Sequence, residues 1–354
     1  MFVVGDVNGS LQGLHKNLLA MEAVDPKGNW IGGGEPCVII GDILADRQAT
    51  GIPCLLYVSK LKEQGANITV LAGNHDEWAI SFLLGKNSNA YHENVPSSKP
   101  LVQCILNRGQ GVGIAEFAAF GKSELQEMWG QILCRERPFP TLDEEGVKEL
   151  IDCLQGKRNA DGNFWALLAK NAAHIASKLP EQIRREIVSM KLVHRIDHCL
   201  FVHTPPTRSM LIRLMLESRI RGGRLIDGVE KINRIFSSFV EDFLGVVADP
   251  INDNRFRGFS MLSAIFLDTG NRSFELDEVM GNKLLSEGIT HVFYGHNRDG
   301  SLFLSDPTVY KKHGVQFIPV DFGYVPSSES DHLRSIARVK AGKICVGKEL
   351  LQVE

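Results

Sequence analysis

The chain opens MFVVGDVNG (1–9), four apolar residues followed by an aspartate and an asparagine set between two glycines. Met1 to Val4 is too short and too branched for the apolar stretch of a signal peptide, which also needs a charged start. It reads as a buried strand that hands Asp6 and Asn8 to a loop at its end. Four more runs share the pattern. CVIIGD (37–42) ends in Asp42, and ITVLAGNHD (68–76) ends in Asn74, His75 and Asp76. HCLFVHTPP (198–206) carries His203, and HVFYGHN (291–297) carries His296. Each run is aliphatic or β-branched on both sides of the alternation, as in strands covered on both faces.

Helical spacing fills the intervals. Ser10 to Ala23 starts on a capping serine and carries leucines at 11, 14, 18 and 19. Val229, Ile232, Phe236, Phe239 and Phe243 line one face of a helix expected over 226–244. Strands alternating with helices predict an α/β fold, in which loops at strand ends gather side chains from distant parts of the chain. Carboxylate, amide oxygen and imidazole together are the donor set of a divalent cation such as Mn²⁺, Mg²⁺, Fe²⁺ or Zn²⁺. One such loop alone is a turn with a satisfied polar residue. Five of them, in chain order and each closing a strand, point to a metal centre.

The bulk numbers narrow the class. The 354 residues, 44% hydrophobic and 23% charged, are those of an ordinary globular protein with ample material for a core. A net charge of -3 offers no basic field, which argues against nucleic acid as a partner. Seven scattered cysteines without a C-x-x-C pair read as buried thiols in a reducing, cytoplasmic setting. No apolar run is long enough to span a membrane, so a membrane partner is not expected.

The same residues resemble the calcineurin-like metallophosphoesterases, in the phosphoprotein phosphatase branch that includes the Ser/Thr phosphatases and their bacterial relatives. The family's ordered motifs GD-x-HG, GD-x-x-DRG, GNH(E/D), a strand-borne His and GH are matched here by GDVNG, GDILADR, GNHDEW, FVHTPP and YGHN. The resemblance implies a four-layer αββα sandwich with metals at the strand ends. It implies two divalent ions, Mn²⁺ first among them with Fe, Zn and Mg as alternatives. Asp6, Asn8 and Asp42 would hold one ion; Asp42, Asn74, His203 and His296 would hold the other, with Asp42 bridging. A hydroxide bridging the ions would attack the phosphoryl group in line. His75 would protonate the leaving oxygen, with Asp46 supporting its imidazole. Arg47 would clamp phosphate, joined by an arginine from DPINDNRFRGFS (249–260), Arg257 ahead of Arg255.

Three departures qualify the match. Asn8 stands where the family has histidine, which makes the first site nearly all oxygen and favours Mn²⁺ or Mg²⁺ at lower affinity. GDILADR holds one residue more than the family between Asp42 and Asp46, and Gln48 replaces a glycine. The interval between His75 and His203 is long, and residues from roughly 85 to 195 read as a helical insertion within a single catalytic domain, a cap over the site or extra packing. Helices are expected there over 123–134, 144–155, 163–179 and 180–190, while 315–325 reads as a strand and 335–347 as a hairpin.

The leading reading is therefore a metal-dependent phosphatase acting on phosphomonoesters, foremost on phosphoproteins. One alternative is a dinucleoside polyphosphate hydrolase of the same branch. Another is a catalytically silent module that holds phosphorylated partners in the same cleft, a reading kept open by Asn8. Oligomeric state is not legible.

Overall fold

All five runs form strands, because their β-branched residues fill a pleated surface that is covered from both sides. The computed structural model describes residues 1–44, 51–83, 179–219, 224–245, 261–267, 277–296, 310–320, 336–340, 343–346 and 351–353. The strands are β1 (Phe2–Val4), β2 (Pro36–Ile39), β3 (Asn67–Val70), β4 (Val193–Ile196), β5 (Cys199–Val202), β6 (His291–Tyr294), β7 (Tyr310–Lys312), β8 (Val315–Pro319), β9 (Ile336–Lys340), β10 (Lys343–Val346) and β11 (Leu351–Val353). They make two mixed sheets, ordered β11-β10-β9-β1-β2-β3 and β4-β5-β6-β8-β7. In each, three strands run parallel: β1, β2 and β3 in one, β5, β6 and β8 in the other. Parallel strands require crossovers, and helices supply them.

Those helices are α1 (Leu11–Ala20), α2 (Gly51–Glu63), α3 (Asn74–Leu83), α4 (Glu181–Val188), α5 (Arg208–Arg219), α6 (Leu225–Gly245) and α7 (Glu278–Ser286). Ser10 caps α1 as its sequence suggests, its side chain accepting from the Gly13 N–H at 3.0 Å. The helix stops at Ala20, short of the expected Ala23, because Glu22 turns left-handed with φ 59°. The helix expected over 226–244 is α6, and the hairpin expected at 335–347 is the antiparallel pair β9–β10, extended by β11.

Strand alternation divides the core in two. Val3, Val38, Ile40 and Leu71 of the first sheet and its strand ends meet Phe201, Phe293, Ile318 and Val320 of the second. Phe201 and Phe293 stack there at 5.0 Å. Phe2, Val4, Ile39 and Val70 belong to a larger cluster with Leu14 and Leu18 of α1 and Leu55 and Val58 of α2. Leu200, Val202, Val292 and Phe317 join that cluster too, with Leu214 of α5, Phe236 of α6 and Leu284 of α7. Each such fully buried side chain contributes about 1.5–3 kcal/mol.

Two features tie the sheets' edges. Lys191 pairs with the end of β3: its N–H donates to the Val70 carbonyl at 3.0 Å, and its carbonyl accepts from the Ala72 N–H at 2.8 Å. Two residues later the chain is β4, the edge of the other sheet. On α6, Asn233 accepts from the Leu192 N–H at 2.9 Å and donates to the Val193 carbonyl at 2.6 Å, satisfying backbone groups at that edge.

Of the stretch read as an insertion, residues 179–195 are described: they form α4, the link through Lys191 and most of β4. The helices expected over 123–134, 144–155 and nearly all of 163–179 lie outside the described residues. No described helix is long and apolar enough to cross a membrane.

Candidate metal centre

The polar residues that end the runs come together at the C-terminal ends of the parallel strands, where α/β sheets present loops to ligands. Asp6 and Asn8 follow β1, Asp42 follows β2, Asn74 and His75 follow β3, His203 follows β5 and His296 follows β6. All seven are buried. Donor atoms of Asp42, His203 and His296 lie within 4.8 Å of one another. They come from three strand ends and both sheets.

His203 sits at the middle, fully buried. Its Nδ1 is 2.7 Å from the Ile40 carbonyl oxygen, which can only accept, so Nδ1 carries the proton. In the neutral ring Nε2 is then a lone pair, and it faces Asn74 Oδ1 at 3.0 Å and Asp42 Oδ1 at 3.5 Å. Three electron-rich atoms turned toward one another call for a cation among them. The Asn74 amide is oriented with its oxygen toward this cluster, and its Nδ2 is buried with no hydrogen-bond partner among the described residues. A second imidazole, His296, packs edge-on to His203 with ring centres 5.3 Å apart.

Asp6 is held from the far sheet: the His296 N–H donates to its Oδ2 at 3.2 Å, and His203 Nδ1 lies 3.6 Å from its Oδ1. Asn8 donates from Nδ2 to the Asp6 carbonyl at 3.3 Å, which commits its nitrogen and leaves Oδ1 as the amide's donor atom toward any cation. His75 anchors to the same cluster, its N–H donating to Asp42 Oδ1 at 3.0 Å and its Nε2 lying 3.8 Å from Asp42 Oδ2.

Backbone strain concentrates here. Asn8, Asp42 and His296 adopt φ of 53°, 50° and 55°, a left-handed region that costs a non-glycine residue about 1–2 kcal/mol. The neighbouring glycines permit the close approach. A Cβ on Gly73 would overlap the Asp42 carboxylate, and one on Gly295 would overlap that of Asp6. Donor chemistry, orientation and these cradles all suit a divalent cation.

Asp76, assigned no role from the sequence, is the most buried acid of the site, with 0% exposure. Its Oδ1 accepts from the Leu44 N–H at 2.7 Å and its Oδ2 from the Gly73 N–H at 2.8 Å. Burial, and then the Asp42 carboxylate, push its carboxyl up to about 7 against the pull of those two donors. Asp46, Arg47, Arg255 and Arg257 lie outside the described residues.

No protein-family model matches the sequence, and no curated protein matches it significantly. Among solved structures the chain is similar to a point mutant of a cold-active protein tyrosine phosphatase, with a TM-score of 0.51 at 13% identity over 99% of this chain and 78% of that one. It is also similar to the cold-active protein-tyrosine phosphatase of the psychrophile Shewanella sp., with a TM-score of 0.49 at 14% identity over the same shares of the two chains, 99% and 78%. The likeness is one of fold.

Proposed function

We propose that the chain is a metal-dependent phosphatase of the calcineurin-like kind, hydrolysing phosphomonoesters on phosphoproteins. The observation that carries this reading is the convergence of Asp42, His203 and His296, buried and within 4.8 Å, from three strand ends. The motif resemblance supplies the rest of the assignment. Asp6, Asn8 and Asp42 hold one cation and Asp42, Asn74, His203 and His296 the other, with Mn²⁺ preferred over Fe, Zn or Mg. On the same reading the two sheets are the inner layers of an αββα sandwich, in one catalytic domain with the insertion at about 85–195. When bound, the cations supply Lewis-acid stabilisation of the transferring phosphoryl group and an activated water.

The chain's own groups do the remaining work. Asp42, held by the His75 N–H, is fixed where both sites can share it. His75 lies beside the ligands and delivers a proton to the leaving oxygen. Arg47 and Arg257 bind phosphate oxygens, and Asp46 supports the imidazole of His75. Burial of the cluster excludes bulk water, so each charge acts in a low dielectric. The protein substrate follows the motif resemblance to the phosphoprotein phosphatase branch.

Hydrolysis of an aryl phosphate by chelator-stripped full chain, titrated with Mn²⁺ beside Asp42→Asn, tests the reading. Turnover that rises with Mn²⁺ and vanishes in Asp42→Asn is the expected result. Silence with Mn²⁺, Fe²⁺, Mg²⁺ and Zn²⁺ alike would overturn it in favour of the phosphate-holding module. Release of nucleoside diphosphate from a dinucleoside polyphosphate, with aryl and peptide phosphates untouched, would move the substrate to nucleotides.

A further inference from the structure

We infer that Asp76 is a positioning residue that locks the Asp42 loop to the Asn74–His75 loop, fixing the separation on which cation binding depends. The two loops exchange hydrogen bonds reciprocally. Asp42 of the first accepts from the His75 N–H of the second at 3.0 Å, and Asp76 of the second accepts from the Leu44 N–H of the first at 2.7 Å. Asp42 thus holds the backbone of the proposed proton donor itself, and Asp76 holds the backbone two residues beyond the proposed ligand Asp42. This inference rests on the metal-centre reading above.

Helix capping explains only half of Asp76. Gly73 is the residue before α3, its carbonyl accepting from the Glu77 N–H at 3.0 Å, and a side chain three residues on that returns to the Gly73 N–H is one arm of a capping box. One oxygen suffices for that arm. The other oxygen leaves the helix for Leu44, 32 residues back in the sequence. Placing a carboxylate here also brings two buried acids together, since Asp42 and Asp76 repel. An asparagine would cap the helix without that repulsion, but where the carboxylate offers a separate oxygen to each N–H group, the amide's NH₂ would face one of them. The carboxylate is the short side chain that serves both loops.

The test is Mn²⁺ binding to the chelator-stripped full chain by calorimetry, comparing wild type with Asp76→Asn. In the variant an NH₂ replaces one of the two accepting oxygens, so the Gly73 cap and the Leu44 clasp no longer both have their acceptor in place. Its Kd for Mn²⁺ is expected to rise about tenfold or more, in the range found when groups behind metal ligands are removed, with helix content by circular dichroism unchanged. Wild-type Kd and stoichiometry in a folded Asp76→Asn would overturn the inference. Should the variant fail to fold, amide exchange in the wild type decides. Leu44 and Gly73 N–H groups exchanging with the slow core support the clasp, and exchange at open-loop rates overturns it. Wild type that binds no Mn²⁺ would sink the metal-centre reading, and the same exchange data would still judge the clasp.

Discussion

His203 Nδ1 and the carbonyl oxygen of Ile40 lie 2.7 Å apart, a hydrogen bond between the end of β5 in one sheet and the end of β2 in the other. It fixes both the tautomer and the direction of the ring. A histidine whose far nitrogen is so anchored presents its near nitrogen as a preorganised donor. The packing of the two sheets therefore sets the geometry of the site.

His203→Ala removes that donor and leaves the Ile40 carbonyl buried. Mn²⁺ affinity is expected to fall by more than the about 10–100-fold typical of groups behind the ligands. Calorimetry on folded variant, with circular dichroism as control, checks it; affinity within twofold of wild type would remove His203 from the ligand set.

Asn8→His places an imidazole at the loop after β1. Because the weaker amide donor is replaced by a stronger one, Mn²⁺ affinity should rise, and Zn²⁺ should gain more than Mn²⁺. Competitive titration of the two metals measures this. An unchanged preference would mean that residue 8 does not reach a cation.

Gly73→Ala puts a methyl where the Asp42 carboxylate already is. Either the carboxylate or the backbone must move, and the loss is expected to exceed about 2 kcal/mol of stability or to abolish Mn²⁺ binding. Thermal melts and calorimetry on the same sample follow both; wild-type values for each would show the two loops to be further apart than described.

His194 governs part of the acid sensitivity. Burial, then the Lys191 charge, hold its pKa down to about 4, below the ordinary 6.5. As pH falls through 6.5 the unfolded chain takes up this proton first, so stability is complete above that pH and drains away toward pH 4. For a half-buried ring the loss is about 2 kcal/mol. His194→Phe, placed beside Phe201, should flatten that part of the curve in denaturant melts at pH 7.5 and 4.5; parallel curves for the two proteins would refute it.

The strands that carry the site were legible because each is a short apolar run ended by glycine and a polar residue. Asp6, Asn8, Asp42, Asn74, His75, His203 and His296 could be named from that pattern, and the structure brings all seven together. β4 was not legible: in VHRI only Val193 is fully buried, so an edge strand looks like a loop. Helix α2 hid for a different reason: its exposed face mixes Leu56 with Lys60 and Glu63, and its buried face carries Gly51 and Ser59 among Ile52, Cys54, Leu55, Val58 and Leu61, which blurs the period. Asp76 stood in plain view inside GNHD, yet its partner is the backbone N–H of Leu44, and no residue type announces a backbone donor.

The passage of the chain through Lys191 has a mechanical meaning. With its backbone bonded to β3 and the next strand already in the opposite sheet, the two sheets are bound like the covers of a book along one spine. A relative rotation of the two sheets that keeps both Lys191 bonds would pivot on the line that ends one residue before Gly73. The first turn of α3, bearing Asn74 and His75, would then sit at the fulcrum, where angular motion displaces atoms least.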